Sequence, residues 1–447
     1  MVQANLKIID ELKQVLNEIS SNKDLRKLVT ISPEAFSRDR KLTLQRLVGI
    51  IINLPKRSLS VEIREFFNIL EVNDYATKGA FCLQRSKLLP IFFQIWNQFL
   101  VDGFYKYYGD KVLLWKGFRL LAVDGSMAYL MNKKDVSEYF GTHANQHYPI
   151  PMARIMQTYD VLNEVIVKGD IYPIKQSEQH IITHQVEHLF EDSLTLFDRA
   201  FASFELMYLM MSQEKPRHFV IRCRSNFNLE ISDFMKSNKS SDIIEMSAKK
   251  YAVRQLRKKG YKITTRTSIK IRMVKIKLST GETEVLLTNL YDENIYSLNT
   301  LKSLYNLRWK IETCYGIQKN QLQMEQFSGH RVICIQQDFG ANIFVTNLQS
   351  LIEKQCAETV NEISLRRKYT YKVNKNISWA AIKNNIVRMF LKDDPEQILK
   401  RLQRIFEHNV EPIRCNRKYE RVTKTRRLRG KFQTLTNYKR AIYTKFN

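Results

Sequence analysis

Two aspartates stand at the ends of short apolar runs. Asp124 follows Leu120-Leu121-Ala122-Val123 and precedes Gly125-Ser126, and Asp198 follows Leu194-Thr195-Leu196-Phe197 and precedes Arg199-Ala200. Each run reads as a buried strand, and a carboxylate delivered to its end is costly to bury unless a cation meets it. The competing reading is a strand-end aspartate that turns into a loop and bonds its own backbone. A third acid, Glu312, lies in a stretch from about 297 to 324 that has the periodicity of one long helix. At about 100° per residue, Tyr305, Arg308, Glu312 and Lys319 share a sector of about 60°. Leu304, Leu307, Ile311, Cys314 and Leu322 form a core-facing stripe beside it, so the helix can pack on a sheet and aim Glu312 along the rim. Gly316 falls near the polar stripe and leaves room for a close approach by backbone or a ligand. Arg308 and Glu312 are also spaced as a solvated i,i+4 pair, but such a pair accounts for neither Tyr305 nor Lys319.

The elements that must position these residues follow in order along the chain. Residues 1 to about 110 look helical. Ser60 can cap a helix with Ile63, Phe66, Phe67 and Leu70 on one face. After the turn at 73–76 a second helix begins near Thr77, with Lys78, Gln84, Arg85 and Lys87 expected to be exposed. A helix-turn-helix and two ordinary antiparallel helices both fit this pattern. From Trp115 the texture changes to β-rich runs at 118–124, 154–161 and 164–171, then a helix-like stretch at 177–190. A strand at 193–198, a helix at 204–211 and a strand at 218–222 follow. Three antiparallel-spaced strands, then helix, strand, helix, strand is the order of a ribonuclease H-like sheet. Residues 229–284 interrupt it, 284–290 is again a strand candidate, and periodic stretches near 339–351, 379–391 and 396–406 read as helices. The expected fold is therefore α/β, a ribonuclease H-like mixed sheet with a β-rich insertion, flanked by helical amino- and carboxy-terminal regions. The expected units are a helical DNA-binding region at 1–112, a first core part at 113–228, a basic insertion at 229–284, a second core part at 285–355 and a helical region with a basic tail at 356–447.

The spacing Tyr305-x2-Arg308-x3-Glu312-x6-Lys319 resembles the Tyr-Arg-Glu-Lys signature of bacterial insertion-sequence transposases of the IS-four type, a branch of the DDE superfamily. The surroundings of Asp124 (Val-Asp-Gly-Ser) and Asp198 (Phe-Asp-Arg-Ala-Phe), and the run Leu-Leu-Thr-Asn-Leu at 286–290, are similar to the same family. The resemblance spans about 115 to 350. It implies that Asp124, Asp198 and Glu312 hold two divalent ions, Mg²⁺ or Mn²⁺, which favour carboxylate oxygen. It further implies that Tyr305, Arg308 and Lys319 grip phosphates at the transposon end, that the amino-terminal helices recognise that end, and that two protomers pair for the two ends. Cleavage of the element's end by water, then attack of the freed 3′-hydroxyl on target DNA, is the implied activity. Relatives that make hairpin ends use an aromatic residue to hold a flipped base. Here none of Trp96, Trp115, Trp309 and Trp379 falls within 229–284, which leaves Tyr251, Tyr261 and Tyr291 as candidates.

Charge points the same way. Net charge is +27, and a polyanion is the usual partner of such a surplus. Residues 247–280 contain twelve Lys or Arg and no acid, and 414–440 contain eleven with only Glu420 opposing. Within 269–278 apolar and basic residues alternate, so a strand there is expected to bury one face and present cations on the other. Arg266, Lys270, Arg272, Lys275 and Lys277 are the expected phosphate contacts, carrying affinity but little sequence information.

Other classes fit poorly. The longest strongly apolar runs, 47–54 and 204–211, are far short of the roughly 18 residues of a membrane span, and no secretory leader is read at the start, so a cytoplasmic, nucleoid-associated protein is expected. Cys82, Cys223, Cys314, Cys334, Cys356 and Cys415 form no Cys-x-x-Cys pair and read as reduced thiols. His180, His184 and His188 recur every four residues, and His143 and His147 share that spacing, but no zinc-protease glutamate follows. No phosphate-binding Gly-x4-Gly-Lys loop is present. Two alternatives remain open: an end-binding repressor without turnover, and a structure-selective nuclease that cuts without joining.

Overall fold

The computed structural model describes residues 1–38, 40–144, 149–277 and 281–414. His147, Leu278, Cys415 and the basic tail beyond Arg414 lie outside the described residues. The amino-terminal region is helical: Val2–Ser21, Lys23–Val29, Leu44–Ile52, Leu59–Ile69, Lys78–Arg85 and Ile91–Tyr108. Side-chain oxygens cap several of these helices by accepting the orphan amides of the first turn. Asn22 accepts from the amides of Asp24 and Leu25, Thr43 from Arg46, and Thr77 from Ala80. The cap expected at Ser60 falls instead on Ser58, which makes no side-chain cap bond.

The expected exposure of Arg85 is corrected. Its guanidinium is 2% exposed and ion-pairs with Asp338 at 2.6 Å. It also donates to Gln337 Oε1 at 2.7 Å and Ser328 Oγ at 2.7 Å. Gln84 and Lys87 are half-buried, and Lys78 alone of the four is exposed. A guanidinium whose three nitrogens all find internal acceptors serves packing, so Arg85 faces inward while Lys78 at the start of the same helix stays at the surface.

Nine strands form one mixed sheet: β1 (Arg119–Tyr129), β2 (Thr142–Ala144), β3 (Pro149–Asp160), β4 (Val165–Pro173), β5 (Ser193–Phe197), β6 (His218–Cys223), β7 (Ser241–Ser247), β8 (Ser268–Lys277) and β9 (Thr283–Thr288). The order is β2-β3-β1-β5-β6-β9-β8-β7, with β4 also paired to β3. β1 runs antiparallel to β3, while β1, β5 and β6 run parallel to one another. Three meandering strands followed by two parallel ones across helical connections make the ribonuclease H-like arrangement. The insertion extends this sheet, since β9 pairs with β6 on one side and β8 on the other.

β8 does not present a single cationic face. Ile269, Ile271 and Met273 pack in one layer with Leu287, whereas Val274 and Ile276 pack in the opposite layer with Leu286. Apolar side chains therefore change sides between Met273 and Val274, and the cations between them leave from both faces. Arg272 is 1% exposed and donates to the carbonyls of Leu290 at 3.2 Å and Tyr296 at 2.8 Å, so it is corrected from a phosphate contact to an internal tie.

Helices cover both faces of the sheet. One apolar layer includes residues of Leu298–Asn306 and Trp309–Asn320, and the other includes residues of Glu178–Thr183, Phe204–Met211, Leu229–Lys236 and Lys250–Lys258. The helix expected over 177–190 is shorter: it ends at Thr183, and His188 belongs to a separate 3-10 turn, so the three histidines share no helical face. A third core joins the amino-terminal helices to Val332–Lys354, Lys375–Leu391 and Pro395–His408. Val332–Lys354 is buried along nearly its whole length, as a helix running between layers must be. Trp96 stacks on its Phe344 with ring centroids 4.1 Å apart. A small pair, β10 (Tyr371–Val373) and β11 (Val410–Pro412), closes the described chain. Among the described residues no helix is long and apolar enough to cross a membrane.

Candidate active site

Parallel pairing places Val123 opposite Phe197, so Asp198 leaves the end of β5 beside Asp124. Asp124 itself sits within β1 opposite Gln157 of β3 and not at the strand end expected, because β1 continues to Tyr129 on its pairing with β3. Strand alternation sends both toward the layer that holds Leu120, Ala122, Leu194 and Leu196, the face covered by Glu312's helix. Each aspartate also accepts a bond from the next backbone amide: Asp124 from Gly125 at 3.0 Å, and Asp198 from Arg199. Asp198 thus caps the turn Arg199–Phe201 that follows its strand, while Asp124 combines its local backbone bond with a cation, Arg308.

The long helix expected over 297–324 is two helices, Leu298–Asn306 and Trp309–Asn320. Between them the amides of Leu307 and Arg308 bond three residues back, to Leu304 and Tyr305, and this 3-10 tightening carries the chain from one helix to the other. A tyrosine on each side ties the pair of helices to the sheet. The Tyr305 hydroxyl donates to the carbonyl of Phe197 at 3.2 Å, and the Tyr315 hydroxyl donates to the carbonyl of Asp124 at 2.8 Å. Gln157 of β3 donates to Gln318 at 2.8 Å. Lys319 donates to Ser126 Oγ at 2.7 Å and to the carbonyl of Met127 at 2.6 Å, just beyond Asp124 on β1.

Arg308 stands between Asp124 and Glu312. One terminal nitrogen lies 2.8 Å from Glu312 Oε1 and the other 3.9 Å from Asp124 Oδ2, and the charge of Asp198 also acts on it. It is 3% exposed, and its Nε is buried with no hydrogen-bond partner. Burial opposes its charge, yet the surrounding Tyr305, Glu312 and Asp124 hold its pKa above the ordinary arginine value. Burial pushes the Asp124 carboxyl up to about 7, against the lowering effect of Arg308 and of the Gly125 amide, with Glu178 and Glu312 adding to the rise. A half-buried carboxylate that is difficult to ionise alone is one that a nearby cation stabilises strongly. The donor set, carboxylate oxygens of three acids, suits a hard divalent ion. Among the described residues no three acid, histidine or cysteine side chains form a ready metal cluster, and the Arg308 guanidinium lies between Asp124 and Glu312.

The family described as "Transposase DDE domain" matches residues 115–348, over half of the chain and a span that includes all three acids. The chain belongs to the DDE transposase family. It is distantly similar to the transposase InsG for insertion sequence element IS4 of Escherichia coli (strain K12), at 22% identity over 216 residues, 48% of this chain and 47% of that protein. The putative transposase InsZ of the same strain is 24% identical over 120 residues, 26% of this chain and 40% of that protein. The chain therefore spans less than half the length of the curated relatives it matches. A cryo-EM structure of piggyBac transposase in a synaptic complex with hairpin DNA is similar at 13% identity with a TM-score of 0.42, covering 95% of this chain and 89% of that one.

In this member of the DDE transposase family the remaining expected contacts are dispersed. Arg266, Lys270 and Lys277 are exposed, and Lys275 is half-buried with its Nζ on the carbonyl of Ser237 at 2.6 Å. Lys270 and the other β8 cations lie three strands away from β5, on the order of 15 Å at the usual strand spacing. Of the tyrosines considered for a flipped base, Tyr251 is exposed, whereas Tyr291 donates to the carbonyl of Lys270 at 2.6 Å and Tyr261 packs edge-on to Tyr208.

Several site residues had no signature in the sequence. Tyr315 falls outside the polar stripe, and its bond to Asp124 joins positions 191 apart. Glu178 packs beneath Gly125, where a Cβ would stand 2.3 Å from its carboxyl carbon, and it ion-pairs with Arg154 of β3. The glycine after Asp124 was the available signal, since a residue without Cβ marks a close approach.

Proposed function

We propose that this DDE transposase binds the ends of a DNA element and carries out metal-dependent cleavage and strand transfer with Asp124, Asp198 and Glu312. The observation that carries the reading is that Arg308 reaches both Asp124 and Glu312 while the pairing of β1 with β5 holds Asp124 and Asp198 side by side. Asp124, Asp198 and Glu312 would hold Mg²⁺ or Mn²⁺, two ions in this reading, and when bound these supply Lewis-acid activation of the attacking oxygen and charge stabilisation of the leaving oxygen. The chain's own contribution is orientation. Tyr305 and Tyr315 fix the spacing of the helices from the two aspartate strands, and the buried apolar layers keep water from the carboxylates' inner sides.

Further parts of the proposal concern DNA. Tyr305, Arg308 and Lys319 border the acids, and the exposed Arg266, Lys270 and Lys277 offer cations to the backbone farther away. The helical region 1–112 would recognise the element end, and a dimer would bring two ends together, with 356–447 supporting that pairing. The test is purified protein incubated in Mg²⁺ with duplex copied from the DNA flanking the gene, followed by strand-specific nicking and joining. Wild type nicks and joins, and Asp124→Asn does neither while still binding. Nicking by Asp124→Asn at the wild-type rate refutes the site. Binding by wild type with no nicking favours a repressor, and cutting without joining favours a nuclease.

A further inference from the structure

The carboxylates that the proposed chemistry assigns to a divalent ion already share a cation of the protein's own. Arg308 is not a surface partner of Glu312, as its i,i+4 spacing alone would allow. It is 3% exposed, turned inward, and reaches Asp124 at 3.9 Å as well as Glu312 at 2.8 Å. The backbone on either side of it is pinned, because Tyr305 is bonded to Phe197 and Tyr315 to Asp124. What can rearrange between those two anchors is the arginine side chain. Its bonding is also incomplete: Nε is buried and unpartnered. A planar guanidinium is fully satisfied by a bidentate oxyanion that takes Nε and a terminal nitrogen together, the geometry that phosphate supplies. The acids here engage its two terminal nitrogens and leave Nε unfilled.

We propose that Arg308 is an exchangeable internal counter-ion, which competes with the divalent cation for Asp124 and Glu312 and is drawn off them by a DNA phosphate. This rests on the reading of the three acids as metal ligands. A guanidinium a few ångströms from a divalent ion is repelled by it, and at such burial salt screens that repulsion little. While Arg308 sits on the acids, metal affinity is low. When a phosphate takes the guanidinium, the acids are released to the metal, so DNA and metal bind with positive coupling and neither alone completes the site.

The test measures Mn²⁺ binding calorimetrically at fixed ionic strength, with and without duplex copied from the DNA flanking the gene. Arg308→Gln removes the charge and keeps most of the volume. It is expected to bind Mn²⁺ about tenfold tighter than wild type without DNA, while duplex strengthens Mn²⁺ binding about tenfold in wild type and little in the variant. Equal or weaker Mn²⁺ binding by Arg308→Gln, or no effect of duplex on the wild type, overturns the proposal. Arg308→Lys guards against a misfolded glutamine variant: charge without the fork keeps weak Mn²⁺ binding in free protein and loses most of the coupling to DNA, and full coupling in this variant also overturns the proposal. Asp124→Asn separates the two layers of argument. If it leaves Mn²⁺ binding unchanged, the assignment of the acids to metal fails. If it abolishes binding while Arg308→Gln fails to tighten it, the counter-ion role alone fails.

Discussion

Removing one oxygen from Tyr315 tests whether the two tyrosines set the geometry of the acids. In Tyr315→Phe the ring and its packing remain, and the bond from the hydroxyl to the carbonyl of Asp124 is lost. A neutral hydrogen bond of this kind contributes about 1 kcal/mol net, and a buried carbonyl left without its partner costs about 1–3 kcal/mol, so about 1–2 kcal/mol of stability is at stake. In a chain of 447 residues that is a small fall in Tm, about 1–2 °C. The effect on cleavage should exceed what this loss of folded protein explains. With the Asp124 strand no longer tied to the Glu312 helix, the acids sample more separations, and about 1.4 kcal/mol lost from their productive arrangement is about tenfold in rate. The assay is single-turnover nicking of end DNA at saturating Mg²⁺, where kcat should fall about tenfold while the KM for DNA stays within about twofold. Tyr305→Phe, with the longer 3.2 Å bond, should cost less. The double variant should depart from additivity, because both anchors hold one connected pair of helices. Wild-type nicking by Tyr315→Phe, with its stability lowered as expected, refutes the view that this bond positions the acids.

Arg85→Ala should be strongly destabilising, by about 3–5 kcal/mol, since Asp338 is left buried without its cation, and a large downward shift of the urea midpoint checks it. Gly125→Ala should cost about 1–3 kcal/mol by forcing Glu178 away from β1, and combining it with Glu178→Ala should return part of that loss in a thermal melt. Lys270→Ala should leave stability unchanged and reduce the salt slope of DNA binding by about one. Arg272→Ala, two residues away, should instead lower the melting temperature, because its guanidinium ties β8 to the carbonyls of Leu290 and Tyr296.

What was legible in the sequence was what is local. Asp124 and Asp198 announce themselves because an apolar run of strand length ends at each, and the alternation of such runs with helical periods fixes the order of a ribonuclease H-like sheet. Glu312 was legible through the helical spacing of its polar neighbours. The break at Leu307–Arg308 was not, because neither glycine nor proline marks it and both residues keep helical dihedrals. The reversal of phase in β8 was hidden for a related reason. Alternation looks regular on each side of Met273–Val274, and the two layers that reward opposite faces belong to distant segments. Arg85 misled because a basic residue on a short helix is usually solvated, and its partners Gln337 and Asp338 lie about 250 positions away.

The shared core of the early and late helices has a consequence for how the protein is made. Asn5 donates to the carbonyl of Leu351, and Gln355, which receives another bond from Asn5, donates to the carbonyl of Leu399. The part of helix Val2–Ser21 that Val332–Lys354 and Pro395–His408 cover therefore stays unpartnered until nearly four hundred positions have been translated, although Ile91–Tyr108 covers the larger part of it early. A product released early by a premature stop, even one retaining every residue through Glu312, would expose that unpartnered surface to proteases and aggregation. Such fragments should be cleared by the cell instead of accumulating as free competitors for DNA.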